Sequence, residues 1–277
     1  MKIVESFQDD RKERYDWVSY DSIQELLDDS VRSLRSKYAD WREHSDRWAT
    51  GYAKAGAVHD LILAGAANPA AARKFGEIAG TLDLDTIPGD LMGESARRRR
   101  VWSDQGDPET DRVLDRRELW AGESKRGRPA RVVRLGVNIT RSMGNDMDGY
   151  AQAAAYCAAV ADQLVKLGHA VEIVGCSVVR YGSWEWRGHS WPLKRPNEPL
   201  DIERILSMGH GALHRFFILK ALRPSGLVLV PSPEAYARVG IDYAFGKQWT
   251  NDGKQRDIWQ GIRNALAGVH DDSEALV

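Results

Sequence analysis

The chain has 277 residues and a mass of 31.0 kDa, enough for one large domain or two of ordinary size. Its 39 Lys and Arg residues nearly balance 40 Asp and Glu residues, so no global field would attract nucleic acid or an anionic membrane. Two cysteines, Cys157 and Cys176, are too few for a disulfide framework or a thiolate metal site. Charged first residues and the lack of any apolar run of about 20 residues predict a cytoplasmic protein without a membrane span.

Residues 21–37 are predicted to form an amphipathic helix. Ser22 and Glu25 have the spacing of a capping box at its start. Apolar residues recur on one face of this helix: Ile23, Leu26, Leu27, Val31 and Leu34. Two or three further helices are predicted between residues 40 and 82, where Ala-rich segments are interrupted by Gly and Pro. We therefore expect residues 1–82 to form a helical N-terminal region.

Residues 83–129 are predicted to be an irregular, charged connector, because Gly, Pro and charges of both signs replace any apolar periodicity. The connector contains the one dense cationic run of the sequence: Arg97, Arg98, Arg99 and Arg100. With Trp102, this run could contact phosphates and stack on a base. Acidic residues follow at once, which favours a charge-paired surface or an acidic protein partner over nucleic acid.

After Pro129 the pattern changes to alternating strands and helices, which predicts an α/β domain over residues 130–277. A strand at 131–139, a helix at 148–168 and a strand at 170–179 have the clearest patterns. Later predicted elements are a Trp-rich hairpin-like stretch at 181–193, a helix at 210–222, a strand at 226–231 and helices at 233–240 and 256–268. The expected fold is a mostly parallel open sheet with helices on both faces, which binds ligands at the carboxyl ends of its strands.

The loop after the first predicted strand of this domain carries polar side chains at alternate positions. Asn138, Thr140 and Ser142 could present a carbonyl and two hydroxyl oxygens to one cation. Mg²⁺ prefers oxygen ligands and commonly keeps several waters. This loop is therefore a candidate metal site or the scaffold of one.

The sequence VVRLGVNITRSMGNDMDGYAQAAAYCAAVADQLVKLGHAVEIVGCS, residues 132–177, resembles the start of a von Willebrand factor A-like domain. The resemblance extends over roughly residues 130–268 and implies a Rossmann-like sheet flanked by helices. The family's metal-ion-dependent adhesion site begins with an Asp-x-Ser-x-Ser loop, which here reads Asn138-Ile-Thr140-Arg-Ser142. Its last ligand is an Asp at the end of the fourth strand, where this chain has Ser232. The family's later Thr has no counterpart.

These departures remove the carboxylates that would offset the cost of taking a dication out of water. A site of neutral oxygens should bind Mg²⁺ poorly, and we expect no cofactor. Asp146 and Asp148 are close enough in sequence to act as substitute ligands, although capping the next helix is the simpler role for them. The loop is therefore predicted to be a degenerate metal site.

The resemblance implies protein binding rather than catalysis, and no catalytic residue is predicted. Intracellular members of the family often serve as adaptors of AAA+ ATPases, and the whole chain also resembles uncharacterised von Willebrand factor A-like proteins of tailed phages. We therefore expect an adaptor or regulatory subunit, working in the host cytoplasm if it is phage-encoded. The residues expected to bind the partner are Asn138, Thr140, Ser142, His210 and Ser232.

Two alternative functions remain open. A metal-dependent phosphodiesterase or nuclease would use Asp146, Asp148, His210 and His214, since the two histidines are spaced i, i+4 and would share one face of a helix. Surface or capping histidines explain the same spacing. A nucleic-acid-binding protein would use the four consecutive arginines of the connector.

A cluster of tryptophans leaves a similar choice between packing and binding. Trp184, Trp186 and Trp191 lie close together, and the first two would share one face of a strand. They form either part of the core or an interface with a partner.

Overall fold

The computed structural model describes residues 3–8, 12–51, 53–79, 132–140, 148–166, 169–180, 185–222, 236 and 238–245. Several sequence predictions lie outside these residues. They are the connector at 83–129 with Arg97 to Arg100, the candidate site residues Ser142, Asp146 and Ser232, Trp184, and the elements at 226–231 and 256–268.

The described strands are β1 (Ile3–Gln8), β2 (Arg14–Ser19), β3 (Val133–Asn138), β4 (Val171–Arg180), β5 (Glu185–Lys194) and β6 (Tyr243–Phe245). The described helices are α1 (Ile23–Lys37), α2 (Arg47–Thr50), α3 (Ala55–Leu63), α4 (Pro69–Ala79), α5 (Asp148–Lys166), α6 (Ile202–Leu206) and a π-helix (Leu213–Lys220). Short 3₁₀ turns occupy Trp41–Glu43 and Ser207–Gly209.

The strands form a single six-stranded sheet in the order β1-β2-β5-β4-β3-β6. The pairs β2–β5, β3–β4 and β3–β6 are parallel, whereas β1–β2 and β4–β5 are antiparallel. The predicted mixed α/β architecture with a mostly parallel sheet is therefore confirmed.

The predicted strand, helix and strand after Pro129 are confirmed as β3, α5 and β4. Strand β3 is buried along most of its length because neighbouring strands flank it on both sides. Helix α5 is rich in alanine and buries thirteen of its nineteen residues, so it packs closely against the elements around it. Residues 185–193 of the Trp-rich stretch belong to β5, which pairs antiparallel with β4.

Residues 3–8 and 14–19 form strands, which corrects the prediction of a helical N-terminal region for this part of residues 1–82. Strands β1 and β2 form an antiparallel hairpin, and β2 adds to the sheet parallel to β5. Tyr15 and Trp17 alternate with polar residues and are almost fully buried, so this segment has the period of a strand. Trp17 lies against Gly188 of β5, where a side chain would collide with the indole ring.

The predicted helix at 21–37 is confirmed as α1, and Ser22 caps it as the spacing predicts, whereas the Glu25 carboxylate bonds the residue before the cap rather than the cap itself. The Glu25 N–H donates to Ser22 Oγ at 3.2 Å, and the Glu25 carboxylate accepts the Asp21 N–H at 2.9 Å. The buried face of α1 belongs to the same hydrophobic cluster as β3, α5 and the π-helix. The N-terminal helices and one face of the sheet therefore share a single core.

A second, smaller cluster covers the opposite face of the sheet. It contains Trp17, Cys176 and Trp186 from the strands, and Tyr236 and Ile241 pack against them. None of the helices in the described parts of the chain is long and apolar enough to cross a membrane.

Candidate functional site

Asn138 and Thr140 lie at the carboxyl end of β3, at the edge of the sheet where the sequence predicts a ligand site. Asn138 Oδ1 accepts the Thr140 N–H at 2.9 Å, and Thr140 Oγ1 accepts the Val178 N–H of β4 at 2.7 Å. The Ile139 N–H also donates to the Cys176 carbonyl at 2.9 Å. These bonds continue the attachment of β3 to β4 beyond the last ladder pair. We refer to Asn138, Thr140 and the first turn of α5 as the rim.

The two predicted ligand oxygens of the rim therefore already have backbone partners. Asn138 is 3% exposed and Thr140 is fully buried. A cation would have to reach these oxygens through buried structure and compete with two backbone N–H groups, whose loss of a partner is costly in a buried environment. Both side chains consequently serve as structural acceptors that hold the end of β3 in place.

His214 lies beneath the sheet rather than on a surface. Its Nδ1 is 3.1 Å from Ser177 Oγ of β4, its ring centroid is 6.0 Å from that of Tyr150, and its side chain is fully buried. Ser177 is also fully buried. The imidazole thus fixes the start of the π-helix to the middle of the sheet.

Arg215 provides a buried positive charge next to the first turn of α5. Its Nε donates to the Tyr150 hydroxyl at 3.2 Å, and its guanidinium carbon lies 5.4 Å from the centroid of the Tyr150 ring. The residue is only 1% exposed. The hydrogen bond and the ring contact with Tyr150 offset part of the cost of burying this guanidinium group.

Both His214 and Arg215 belong to the π-helix Leu213–Lys220. This helix type is rare and occurs mostly as single turns, frequently at functional sites. All of its residues from Leu213 to Leu219 are buried. Its geometry brings two polar side chains together with five apolar ones inside the core.

His210 has different partners from His214, so the predicted pair on one helical face does not form. His210 ends the 3₁₀ turn Ser207–Gly209, and its Nε2 lies 3.3 Å from the Ala66 carbonyl oxygen. Its Nδ1 is 3.4 Å from Asn68 Nδ2, at the start of α4. Burial lowers the pKa of His210, and the contact with the Ala66 carbonyl opposes that effect. His210 therefore links the turn to the N-terminal helices.

The set predicted for a metal-dependent nuclease is not brought together by the residues that the structure describes. Asp148 is exposed at the start of α5, whereas His214 is buried under β4. No group of three or more His, Cys, Asp or Glu side chains that could hold a metal occurs among the described residues. Asp146 lies outside them, so its predicted role is untested.

Two of the three clustered tryptophans belong to the core. Trp186 is 4% exposed, stacks on Tyr15 with centroids 5.7 Å apart, and donates to the Glu13 carboxylate at 2.7 Å. Trp191 is 1% exposed and covers Gly175 of β4. For these two residues the packing interpretation is correct.

Neither cysteine has the properties of a reactive thiol. Cys157 and Cys176 are both free and fully buried, and burial raises the pKa of both thiols well above the ordinary value. A reactive cysteine requires a stabilised thiolate, which these sites oppose.

Most of the polar residues beneath the rim were not singled out from the sequence. Ser177, Arg215 and Tyr150 lie with His214 in a buried polar cluster, and only His214 among them was named from the sequence. Of the other three, only Arg215 stands out in the sequence. It is a charged residue within the apolar run LHRFFIL, residues 213–219, where a buried cation must be compensated by polar partners. The hydroxyl groups of serine and tyrosine are too common to reveal such a role.

The family of the chain is established by one comparison. The model of a family described as a domain of unknown function (DUF7192) matches residues 11–257. No curated protein and no solved structure matches the chain. The match includes strands β2 to β6, the N-terminal helices and the rim but not β1, and it covers more than half of the chain, which therefore belongs to this family of unknown function.

Proposed function

We propose that this protein is a non-enzymatic protein-interaction module, an adaptor or regulatory subunit, whose rim works without a divalent metal ion. The observation that carries the proposal is that Asn138 Oδ1 and Thr140 Oγ1 are buried and accept backbone N–H groups. The rim is then an edge of the sheet that presents the first turn of α5 to a partner.

The partner that we propose is an AAA+ ATPase. Support comes from the resemblance of residues 132–177 to von Willebrand factor A-like domains and from the order β5-β4-β3, in which β3 and β4 are parallel and β5 is antiparallel. The resemblance to phage-encoded proteins of this type makes a phage origin part of the same proposal.

The metal-free rim is tested with Thr140→Val and the matched control Thr140→Ser. Valine leaves the buried Val178 N–H without its acceptor, so we expect a loss of about 1–3 kcal/mol in the free energy of unfolding, whereas serine keeps the acceptor. Urea denaturation should give the same loss in EDTA and in about 1 mM Mg²⁺ or Mn²⁺.

A metal-binding rim gives a different result in the same measurements. Magnesium or manganese would then stabilise the wild type, and Thr140→Val would abolish that gain. Calorimetric titration of either ion into the wild type would also release or absorb heat with a dissociation constant below about 1 mM.

The adaptor role is tested with the purified full chain and the AAA+ ATPase encoded nearest to its gene. We expect the chain to change the rate of ATP hydrolysis, and Asp148→Lys to weaken this effect by about tenfold, because Asp148 is exposed at the rim. Glu198→Lys is the control, since Glu198 is also exposed but follows β5 at the opposite end of the sheet. An unchanged ATPase rate, or equal effects of both variants, would contradict the proposal.

A further inference from the structure

Strand β1 forms an edge of the sheet and is open to solvent. It pairs with β2 over all six of its residues and has no second neighbour among the described strands. Five of its six residues are exposed, with Ile3 at 47% and Val4 at 60%. An edge strand presents a row of unpaired backbone N–H and C=O groups on its outer side, which can pair with another strand.

The strand has few of the features that usually protect such an edge. Proteins commonly place Lys, Pro or a β-bulge on an exposed edge strand to prevent pairing. The segment IVESFQ contains neither Lys nor Pro, and its pairing with β2 runs without a shift in register. Glu5 is its single charged residue.

Strand β1 is also held in a conformation ready for pairing. Phe7 stacks on Tyr15 with ring centroids 5.1 Å apart, and Tyr15 stacks in turn on Trp186 of β5. The Ser6 hydroxyl donates to the Asp16 carboxylate at 2.7 Å. Because these contacts already order the strand, little conformational entropy remains to be lost when another strand adds to it.

We propose that β1 pairs antiparallel with β1 of a second copy of this chain, which joins two six-stranded sheets across a two-fold axis. This surface is separate from the rim, so the inference does not depend on the proposed function. The second copy carries the same unprotected row of backbone groups, and the net charge of -1 opposes its approach only weakly.

The charge of Glu5 excludes one register of this pairing, and the register centred on Ser6 avoids it while pairing five of the six residues of β1. Residues directly opposite in an antiparallel pair share one face of the sheet, so a symmetric pair centres on a single residue of β1. A centre at Glu5 would place two like charges opposite each other, which is destabilising. A centre at Ser6 places Glu5 opposite Phe7 of the second copy and Val4 opposite Gln8, with no like charges facing.

The dimer is expected to be weak, because a single pair of six-residue strands buries less than the area of a standard interface. Sedimentation equilibrium of the full chain from about 5 to about 500 µM should show the average mass rising above 31.0 kDa. Val4→Lys should weaken association at least about tenfold, because a lysine on the edge opposes strand addition.

Leu61→Lys is the matched control, because it adds the same charge at a side chain 44% exposed on α3. This variant should associate like the wild type, and circular dichroism should show both variants folded. A wild type that remains at 31.0 kDa over the whole range would overturn the proposal. Equal weakening by both substitutions, or by neither, would overturn it as well.

Discussion

Asp46 shows how one side chain connects distant parts of this chain. Its Oδ1 accepts a hydrogen bond from the Ala49 N–H and so caps α2. Its Oδ2 accepts a hydrogen bond from Lys220 Nζ at the end of the π-helix. His44 Nε2 also lies 3.0 Å from Oδ2. Burial alone would raise the pKa of Asp46, but the hydrogen bonds from Lys220, Ala49 and His44 lower it to about 2.

The lowered pKa of Asp46 predicts a loss of stability in acid. Its contribution is fully present above the ordinary pKa of 3.8 and disappears as the pH falls through about 2. Asp46→Asn keeps a capping oxygen but loses the charge that Lys220 contacts, whereas Asp46→Ala loses both. At about pH 7 we expect Asp46→Ala to cost about 1–2 kcal/mol and Asp46→Asn to cost less.

Urea denaturation of the three proteins at a series of pH values checks this prediction. The difference between the wild type and Asp46→Asn should shrink as the pH falls from about 4 to about 2. A difference that stays constant through this range would show that the Asp46 charge does not stabilise the fold.

At the scale of the elements, two glycines allow aromatic rings to lie directly on the sheet. Gly188 of β5 lies beneath the ring of Trp17 from β2, and Gly175 of β4 lies beneath Trp191 from β5. At either glycine, an added Cβ would lie closer to the indole atoms than real Cβ contacts allow. These contacts explain how bulky rings pack on neighbouring strands: the first holds β2 against β5, and the second holds β5 against β4.

Gly188→Ala should therefore destabilise the protein by about 2–3 kcal/mol, because the core around Trp17 is overpacked by the new methyl group. Gly76→Ala is the control, since a Cβ there meets no atom within 4 Å and the residue lies inside α4. Helix propensity predicts that this second change stabilises the protein by up to about 1 kcal/mol. Thermal unfolding that shifts equally in both variants would contradict the packing argument.

At the scale of the whole molecule, the N-terminal helices and the sheet depend on each other. Gly209 lies against Asn68, Ala71 and Ala151, so the start of α4, the turn before the π-helix and the start of α5 meet closely. Leu34 of α1 is fully buried in the cluster that also contains β3 and α5. The described helices and sheet should consequently unfold together.

Leu34→Ala tests this cooperation. We expect a loss of about 2–5 kcal/mol in the free energy of unfolding, observed equally by tryptophan fluorescence and circular dichroism. Leu61→Ala should cost less than about 1 kcal/mol, because Leu61 is 44% exposed. Separate transitions for the two probes, with only one shifted by Leu34→Ala, would show that the N-terminal helices fold independently.

Local sequence patterns determined α1, β3, α5 and β4. The capping box and helical periodicity of residues 21–37, the apolar run that forms β3 and the long alanine-rich helix are short-range signals. They are visible in sequence because the physical causes, a cap or an apolar face, involve residues close together in the chain. The position of Asn138 and Thr140 at the end of β3 follows from the same signals.

Tertiary structure alone decided that β1 and β2 join the sheet, and it decided which hydrogen-bond partners the buried polar side chains near the rim have. Tyr15 and Trp17 become core residues only because β5 provides Trp186 and Gly188 beside them, each 171 positions after its partner in the chain. Asn138 Oδ1 bonds a backbone N–H only two residues away, but Thr140 Oγ1 is occupied because Val178 of β4 lies against it. Packing between distant segments thus decides whether a residue such as Thr140 is a ligand or a structural acceptor, since its neighbours along the chain fix neither this partner nor its burial.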